Sequence, residues 1–343
     1  MFVQPDQVVV VTGGSSGVGR ASARRFAERG YRVALVARGE EALAATAEEL
    51  RRVTPHVLTF VADVSDAKAL DAVVDDVERE WGHIDVWVNA AAVAVLGRFS
   101  DIAAEDFDRV VEVVLTGTVN GTRSALRSML PRDQGRIVQV GSAVVMHGVP
   151  LQSAYVAAKH AVHGLSDSLR AELLQDGVGV TVSEVNLPAV NTPLYRAAKN
   201  LLPQRVRPFP PIYQPEDAAS GVLRAARTGA RRVDVGATTT AMVWADTFAA
   251  GVLEHLLGRL GLDLQQTGDA REQPTGNALY APLPGDHGCH GEYDDLARGR
   301  SYKEMLRAHL VPDRTVRVAD RSRRLVAGAL ADLAVRIGIV PRR

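Results

Sequence analysis

Tyr155 and Lys159, in Tyr155-Val156-Ala157-Ala158-Lys159, are four residues apart, a spacing that puts both side chains on one face of a helix. A phenol titrates at ~10, too high for acid–base work at neutral pH. A neighbouring ammonium stabilises the phenolate and brings that pKa toward the working range. Upstream, Ser142 offers a hydroxyl able to hydrogen-bond an oxygen on which charge develops. A different chemistry is written into Thr12-Gly13-Gly14-Ser15-Ser16-Gly17-Val18-Gly19. Glycines there let the backbone turn sharply and approach a pyrophosphate, whose charge then rests on a helix N-terminus. The pattern is G-x-x-x-G-x-G, spaced differently from the usual dinucleotide fingerprint G-x-G-x-x-G.

Acid–base groups and a phosphate turn act together only if a scaffold aligns them, and the hydrophobic pattern supplies one. Val8-Val9-Val10-Val11 runs into the glycine turn, and a helical stretch with Ala21, Phe26 and Ala27 on one face follows before Val33-Ala34-Leu35-Val36. Strand, turn, helix and strand make a βαβ unit, and runs this apolar suit strands buried on both faces. The alternation continues through Leu58–Val61, Ile84–Val88, Arg136–Val140 and Val180–Val185, with Arg232–Gly236 as a last strand. The expected fold class is therefore α/β, a doubly wound parallel sheet (Rossmann fold), with a helical C-terminal extension.

The ordered set of the glycine turn, Asn89-Ala90-Ala91-Ala92, Ser142, Tyr155-x-x-x-Lys159 and Pro188-Ala189-Val190-Asn191-Thr192 resembles the single-domain branch of the short-chain dehydrogenase/reductase family. The resemblance covers residues 5–237, the expected catalytic domain; residues 238–343 form the extension. It implies that Tyr155 donates a proton to a carbonyl oxygen while a nicotinamide delivers hydride, that Lys159 also holds the nicotinamide ribose, and that Ser142 stabilises the substrate oxygen. It further implies cofactor contacts from Gly13, Ser15, Gly17, Val18 and Gly19 at the pyrophosphate, and from Asp63 and Val64 beside the adenine. Asn89 would brace the strands next to the cofactor, and Val190 and Thr192 would meet the nicotinamide amide. An NAD enzyme usually carries an acidic residue at the end of the second strand; here Ala37-Arg38 stands there, and an arginine can pair with a 2′-phosphate. NADP(H) is therefore expected over NAD(H).

One position departs from the family pattern. In Val113-Val114-Leu115-Thr116-Gly117-Thr118, Val114 replaces an asparagine whose side chain holds a water linking the lysine to solvent. Asn120 faces away from that position, while Thr118 is one turn along. A non-catalytic NADPH-binding sensor or scaffold is accordingly the alternative to a working oxidoreductase. A sugar-nucleotide epimerase or dehydratase shares Y-x-x-x-K but uses a differently spaced turn and a larger substrate domain.

Family geometry frames a substrate pocket with Val95, Leu96, Val144, Val145, Met146, Val149, Leu151, Leu194, Tyr195, Leu201, Leu202 and Phe209, which suits a lipophilic ketone, aldehyde or secondary alcohol. His147 is a loop histidine within reach of that pocket. Pro208-Phe209-Pro210-Pro211 stiffens the exit from the covering segment.

The 343 residues are 46% hydrophobic and 23% charged, with 40 basic and 40 acidic side chains. A net charge of +0 argues against a nucleic-acid partner held by bulk electrostatics. With Cys289 alone there is no internal disulfide and no thiolate zinc cluster. The spacing of His287, Cys289 and His290 fits no structural zinc pattern, so no metal is expected; the expectation is an ordered turn that packs the extension on the domain or on a neighbouring subunit. No signal-peptide pattern or apolar run of spanning length is present, so the expectation is a cytoplasmic protein without an integral membrane segment. By resemblance it is a homodimer or homotetramer. In the extension, Phe248, Val252, Leu256 and Leu260 recur at helical spacing within residues 240–262, a Gly/Pro/Asp-rich loop follows over residues 267–299, and Val326, Leu330, Leu333, Ile337 and Val340 outline an amphipathic terminal helix.

Overall fold

The structure, a computed structural model, describes residues 6–145, 147–270 and 276–298. Met146 and the expected terminal helix around Val326–Val340 lie outside the described residues. Seven strands form one sheet: β1 (Val8–Thr12), β2 (Arg32–Ala37), β3 (Val57–Val61), β4 (Val86–Asn89), β5 (Gly135–Val140), β6 (Val180–Asn186) and β7 (Arg232–Asp234). Their order is β7-β6-β5-β4-β1-β2-β3, and every neighbouring pair is parallel. The chain thus winds one way through β1, β2 and β3 and the other way from β4 onward. The crevice at this switch between β1 and β4 is where ligands of open α/β sheets bind.

The helices are α1 (Gly17–Ala27), α2 (Glu40–Arg51), α3 (Ala67–Trp81), α4 (Ala104–Val111), α5 (Gly117–Met129), α6 (Ser153–Gln175), the short α7 (Leu194–Ala197), α8 (Pro215–Thr228) and α9 (Gly236–Gln265). Val9 and Val11 of β1 pack with Phe26 of α1, Leu43 of α2 and Val222 of α8. Val8 and Val10 point the other way, toward Leu70 of α3, Val110 of α4 and Ala154 of α6. All four valines are fully buried, which is why the strand reads as an unbroken apolar run instead of an alternating one. Strand β4 begins at Val86, later than the apolar pattern suggests, because the Asp85 carboxylate turns to accept the backbone N–H of Val8 at 2.8 Å.

Between α4 and α5 the helix widens into a π turn over Glu112–Thr116. The extension does not stand apart from the sheet domain. Helix α9 bends at Ala249 (φ −148°, ψ 40°) and lies over the C-terminal ends of the strands, where several of its side chains wall the central cleft. Residues 276–298 then run back across the crevice with little regular structure, and Leu279 is completely buried in the same apolar cluster as Val10 and Trp87.

Candidate active site

The glycine turn leaves the end of β1 with Gly13 at φ +66° and Gly17 at φ +50°, the left-handed region that a side chain resists. A Cβ on Gly19 would sit 2.1 Å from the Gly13 carbonyl oxygen, so only glycine lets α1 start this close to the turn. A cleft of about 680 Å³ opens above it and extends across the sheet ends. Every expected site residue except Asn89 lines this cleft: Gly13, Ser15, Gly17, Val18, Gly19, Arg38, Asp63, Val64, Ser142, Tyr155, Lys159, Val190 and Thr192.

Asn89 faces elsewhere. Its Oδ1 accepts from Trp87 Nε1 at 2.8 Å, and its Nδ2 donates to Gln139 at 2.9 Å and Thr122 at 3.2 Å. It ties β4, β5 and α5 together behind the cleft, while the following Ala90, Ala91 and Ala92 form the wall.

Ser142 follows β5, and Tyr155 and Lys159 lie on the first turns of α6. The Tyr155 hydroxyl is hydrogen-bonded to Ser142; burial pushes the phenol up to about 12, against the smaller opposing effect of that bond. Burial also brings the Lys159 ammonium down to about 8, with Glu184 pulling it back up. Lys159 Nζ donates to the Val140 carbonyl at 2.6 Å and lies 5.6 Å from the centre of the Tyr155 ring. The spacing of the two residues suggests a lowered tyrosine pKa; in the fold, desolvation is the largest influence on the phenol and raises it instead. Glu184 is itself almost wholly buried and meets His163 Nδ1 at 2.7 Å.

Val114 is fully buried within the π turn. Its carbonyl accepts the Thr118 hydroxyl at 2.7 Å, and Asn120 donates to the carbonyls of Val64 (3.0 Å) and Ser65 (3.1 Å). Neither side chain stands in for an asparagine at position 114.

At the outer end of the cleft, burial disfavours the ionised Asp63, but hydrogen bonds from Ser65 and Arg109 prevail and hold its pKa below the ordinary value. Arg38 lies 3.7 Å from Asp63 and donates to the Tyr280 carbonyl at 3.1 Å and to that of Ala278. On the opposite side, Val190 pairs with Tyr213, and the Asn191 N–H donates to the Tyr213 carbonyl at 2.9 Å, which fixes the loop carrying Thr192.

Of the expected pocket residues, Leu96, Val144, Val149, Leu194, Tyr195 and Phe209 line the cleft. Leu151 and Leu202 do not line it and pack instead against Val206 and against Ala94 of the cleft wall, and Val95 is buried in the core. His147 does not reach the cleft; its Nδ1 meets Asp246 of α9 at 3.0 Å. The apolar wall contributed by α9, including Met242, Leu253, Leu257 and Leu264, is what sequence reading missed. Its periodicity marked a helix but not the surface that helix would cover. The His287/Cys289/His290 turn packs on the domain: His287 faces Arg196 and His290 faces Glu216. Among the described residues no group of three His, Cys, Asp or Glu side chains gathers as a metal site.

A glycine turn at the switch point of a parallel sheet, with a serine, tyrosine and lysine converging on the same cleft, is matched by known proteins. The short chain dehydrogenase family matches residues 7–201. The chain belongs to that family. This short-chain dehydrogenase is 32% identical over 305 residues to the uncharacterized oxidoreductase YxnA of Bacillus subtilis (strain 168), covering 87% of this chain and 84% of YxnA. An alignment of that extent takes in α9 and most of the segment after it. The solved structure of levodione reductase is 28% identical with a TM-score of 0.60, covering 69% of this chain and 99% of that one. An alcohol dehydrogenase from the archaeon Thermococcus sibiricus, complexed with 5-hydroxy-NADP, is 26% identical with a TM-score of 0.58, covering 67% of this chain and 94% of its own. The protein is therefore an oxidoreductase of the short-chain type, acting on CH–OH or C=O groups with a nicotinamide cofactor. The glycine turn fits the pyrophosphate of such a cofactor: Gly13, Gly17 and Gly19 line the cleft where α1 begins, and the backbone there is packed too closely on Ala91 and on itself for Gly13 or Gly19 to carry a Cβ. No helix among the described residues is long and apolar enough to cross a membrane.

Proposed function

We propose that the protein is an NADP(H)-dependent oxidoreductase that interconverts lipophilic ketones or aldehydes and the corresponding alcohols. The observation that carries the reading is the buried Ser142–Tyr155 hydrogen bond beside Lys159 at the floor of a largely apolar cleft. When bound, the cofactor supplies the hydride to the carbonyl carbon. Tyr155 holds its proton at neutral pH and passes it to the carbonyl oxygen as the C=O π pair becomes an O–H bond. Ser142 hydrogen-bonds the same oxygen and steadies its developing charge. Lys159, held by the Val140 carbonyl, keeps a positive charge next to the phenol and reaches toward the nicotinamide ribose.

Gly13, Ser15, Gly17, Val18 and Gly19 hold the diphosphate, Val190 and Thr192 the nicotinamide end, and Asp63 and Val64 the adenine end, with Asn89 bracing the strands behind. The case for NADP(H) rests on Arg38: no carboxylate ends β2, and Asp63 is already engaged by Arg109 and Ser65. The guanidinium is the group that would meet a 2′-phosphate. Residues 5–237 are the catalytic domain, and the extension completes its substrate wall. A cytoplasmic homodimer or homotetramer is the assembly we expect.

The test is NADPH consumption across a panel of lipophilic aldehydes and ketones. Tyr155→Phe is expected to lower turnover by about 10²–10⁴-fold with NADPH affinity retained. Turnover undiminished in the variant would overturn the assignment.

A further inference from the structure

Each carbonyl reduction takes one proton from Tyr155, and the Val114 side chain offers no hydrogen bond to a water that could return it. Helix α6 carries a different set of polar groups toward solvent. Tyr155, Lys159, His163 and Asp167 follow one another at four-residue spacing, so each lies one turn, about 6 Å, beyond the last. The row runs from the cleft outward. Tyr155 lines the cleft and Lys159 is buried, whereas the side chains of His163 and Asp167 are 32% and 40% exposed.

Glu184 of β6 meets this row from the sheet. Its Oε2 lies 2.7 Å from His163 Nδ1, and its side chain is only 2% exposed. Across the ring, His163 Nε2 lies 3.7 Å from Asp167, which also pairs with Arg170 and Arg231. The other carboxyl oxygen of Glu184, Oε1, is buried without a hydrogen-bond partner among the described residues, and the same holds for Asn186 Oδ1. Both oxygens crowd the place where a Cβ on Gly141 would stand, at 3.2 Å and 2.7 Å from it. Gly141 directly follows Val140, whose carbonyl holds Lys159 Nζ at 2.6 Å. Two buried acceptors at one spot are satisfied by a proton on the carboxyl group or by a water between them. The Glu184 charge also reaches Lys159, where it favours the ammonium.

We propose that Glu184 and His163 form the proton route between Lys159 and solvent, in place of the water that an asparagine at position 114 would hold. The inference rests on the reading of Ser142, Tyr155 and Lys159 as a carbonyl-reducing site. Once Tyr155 has given its proton to the product oxygen, the phenolate takes one from the Lys159 ammonium. A solvent proton adds to His163 Nε2, the Nδ1–H bond breaks as its proton passes to Glu184, and the carboxyl group hands that proton to the Lys159 amine. Each bond to hydrogen that breaks is matched by one that forms, and each reduction draws one proton from solvent.

The experiment follows NADPH in stopped flow as the intact protein, preloaded with the cofactor, reduces decanal or another carbonyl from the panel above. His163→Ala is expected to complete its first turnover at the parent's rate, because Tyr155 already holds a proton, and to slow about 10²-fold in the turnovers that follow. Imidazole in the buffer should restore those later turnovers in proportion to its concentration. His163→Asn, whose amide N–H can keep the bond to Glu184 but cannot pass a proton on, should show the same fast first turnover and slow later ones. Steady-state turnover within twofold of the parent in His163→Asn would overturn the proposal. So would first and later turnovers slowed alike in both variants with no response to imidazole, the mark of a purely structural role. A parent protein that binds NADPH but reduces no aldehyde or ketone would overturn the carbonyl-reducing reading itself.

Discussion

The chemistry of the site turns on two buried groups whose pKa values are moved by the same cause in opposite directions. Burial disfavours the charged form of each, so the Tyr155 phenol rises to about 12 and the Lys159 ammonium falls to about 8. Lys159 is charged below that value and loses its charge as pH rises through it. Carbonyl reduction, which uses the protonated phenol beside a cation, is therefore expected to be level below pH 8 and to decline above it. A kcat–pH profile at saturating carbonyl reads this directly; a rate that stays level well past pH 8 would show that the lysine charge is not required. Arg38 is the other residue with a decisive charge. Replacing it by aspartate is expected to lower the ratio of NADPH to NADH affinity by about tenfold or more, measured by titration with both cofactors. An unchanged ratio would remove the argument for NADP(H). The identities and spacing of Ser142, Tyr155 and Lys159 were legible from the chain alone. The direction of the tyrosine shift was not, because desolvation depends on what surrounds a side chain.

Among the elements, the π turn at Glu112–Thr116 and the bent helix α9 both contribute to the cleft wall. A π turn inside a helix inserts a residue against the usual register and commonly accompanies a functional site. Here it holds Val114 fully buried, with the Thr118 hydroxyl donating to the Val114 carbonyl, and the valine side chain itself offers no hydrogen bond to a water. Val114→Asn is expected to raise reductive turnover several-fold if proton resupply limits the rate, with a matching change in the solvent isotope effect. An unaffected rate would show that the proton route bypasses this turn. Helix α9 teaches a different lesson. Phe248, Val252, Leu256 and Leu260 repeat at helical spacing, and all four are substantially exposed, whereas Leu257 is the buried leucine that packs inward. Periodicity located the helix without assigning its buried side, because nearly every face of α9 is apolar and the helix bends at Ala249; Leu256 and Leu260, though partly exposed, also line the cleft.

At the scale of the whole molecule, the sheet buries apolar side chains on both faces, and stability is concentrated there. Phe26, wholly buried against Tyr31 with ring centres 5.0 Å apart, is expected to cost about 3–5 kcal/mol when replaced by alanine, read from the shift in urea midpoint. A shift below about 1 kcal/mol would mean the cluster repacks around the gap. The sequence by itself determined the family, the parallel sheet and the three polar residues at its carboxyl edge. Those features rest on local information: apolar runs of strand length, a glycine pattern at a strand–helix junction, and side chains one helical turn apart. The tertiary structure alone decided that the extension walls the cleft. Contacts such as Gly17 with Gly288, Arg20 with Asp286 and Arg38 with Tyr280 join residues that are far apart along the chain. A Gly/Pro-rich segment has no periodicity from which to read a register. Its path across the cleft is set by buried Leu279 and by ion pairs whose partners are visible only once the sheet has brought them together.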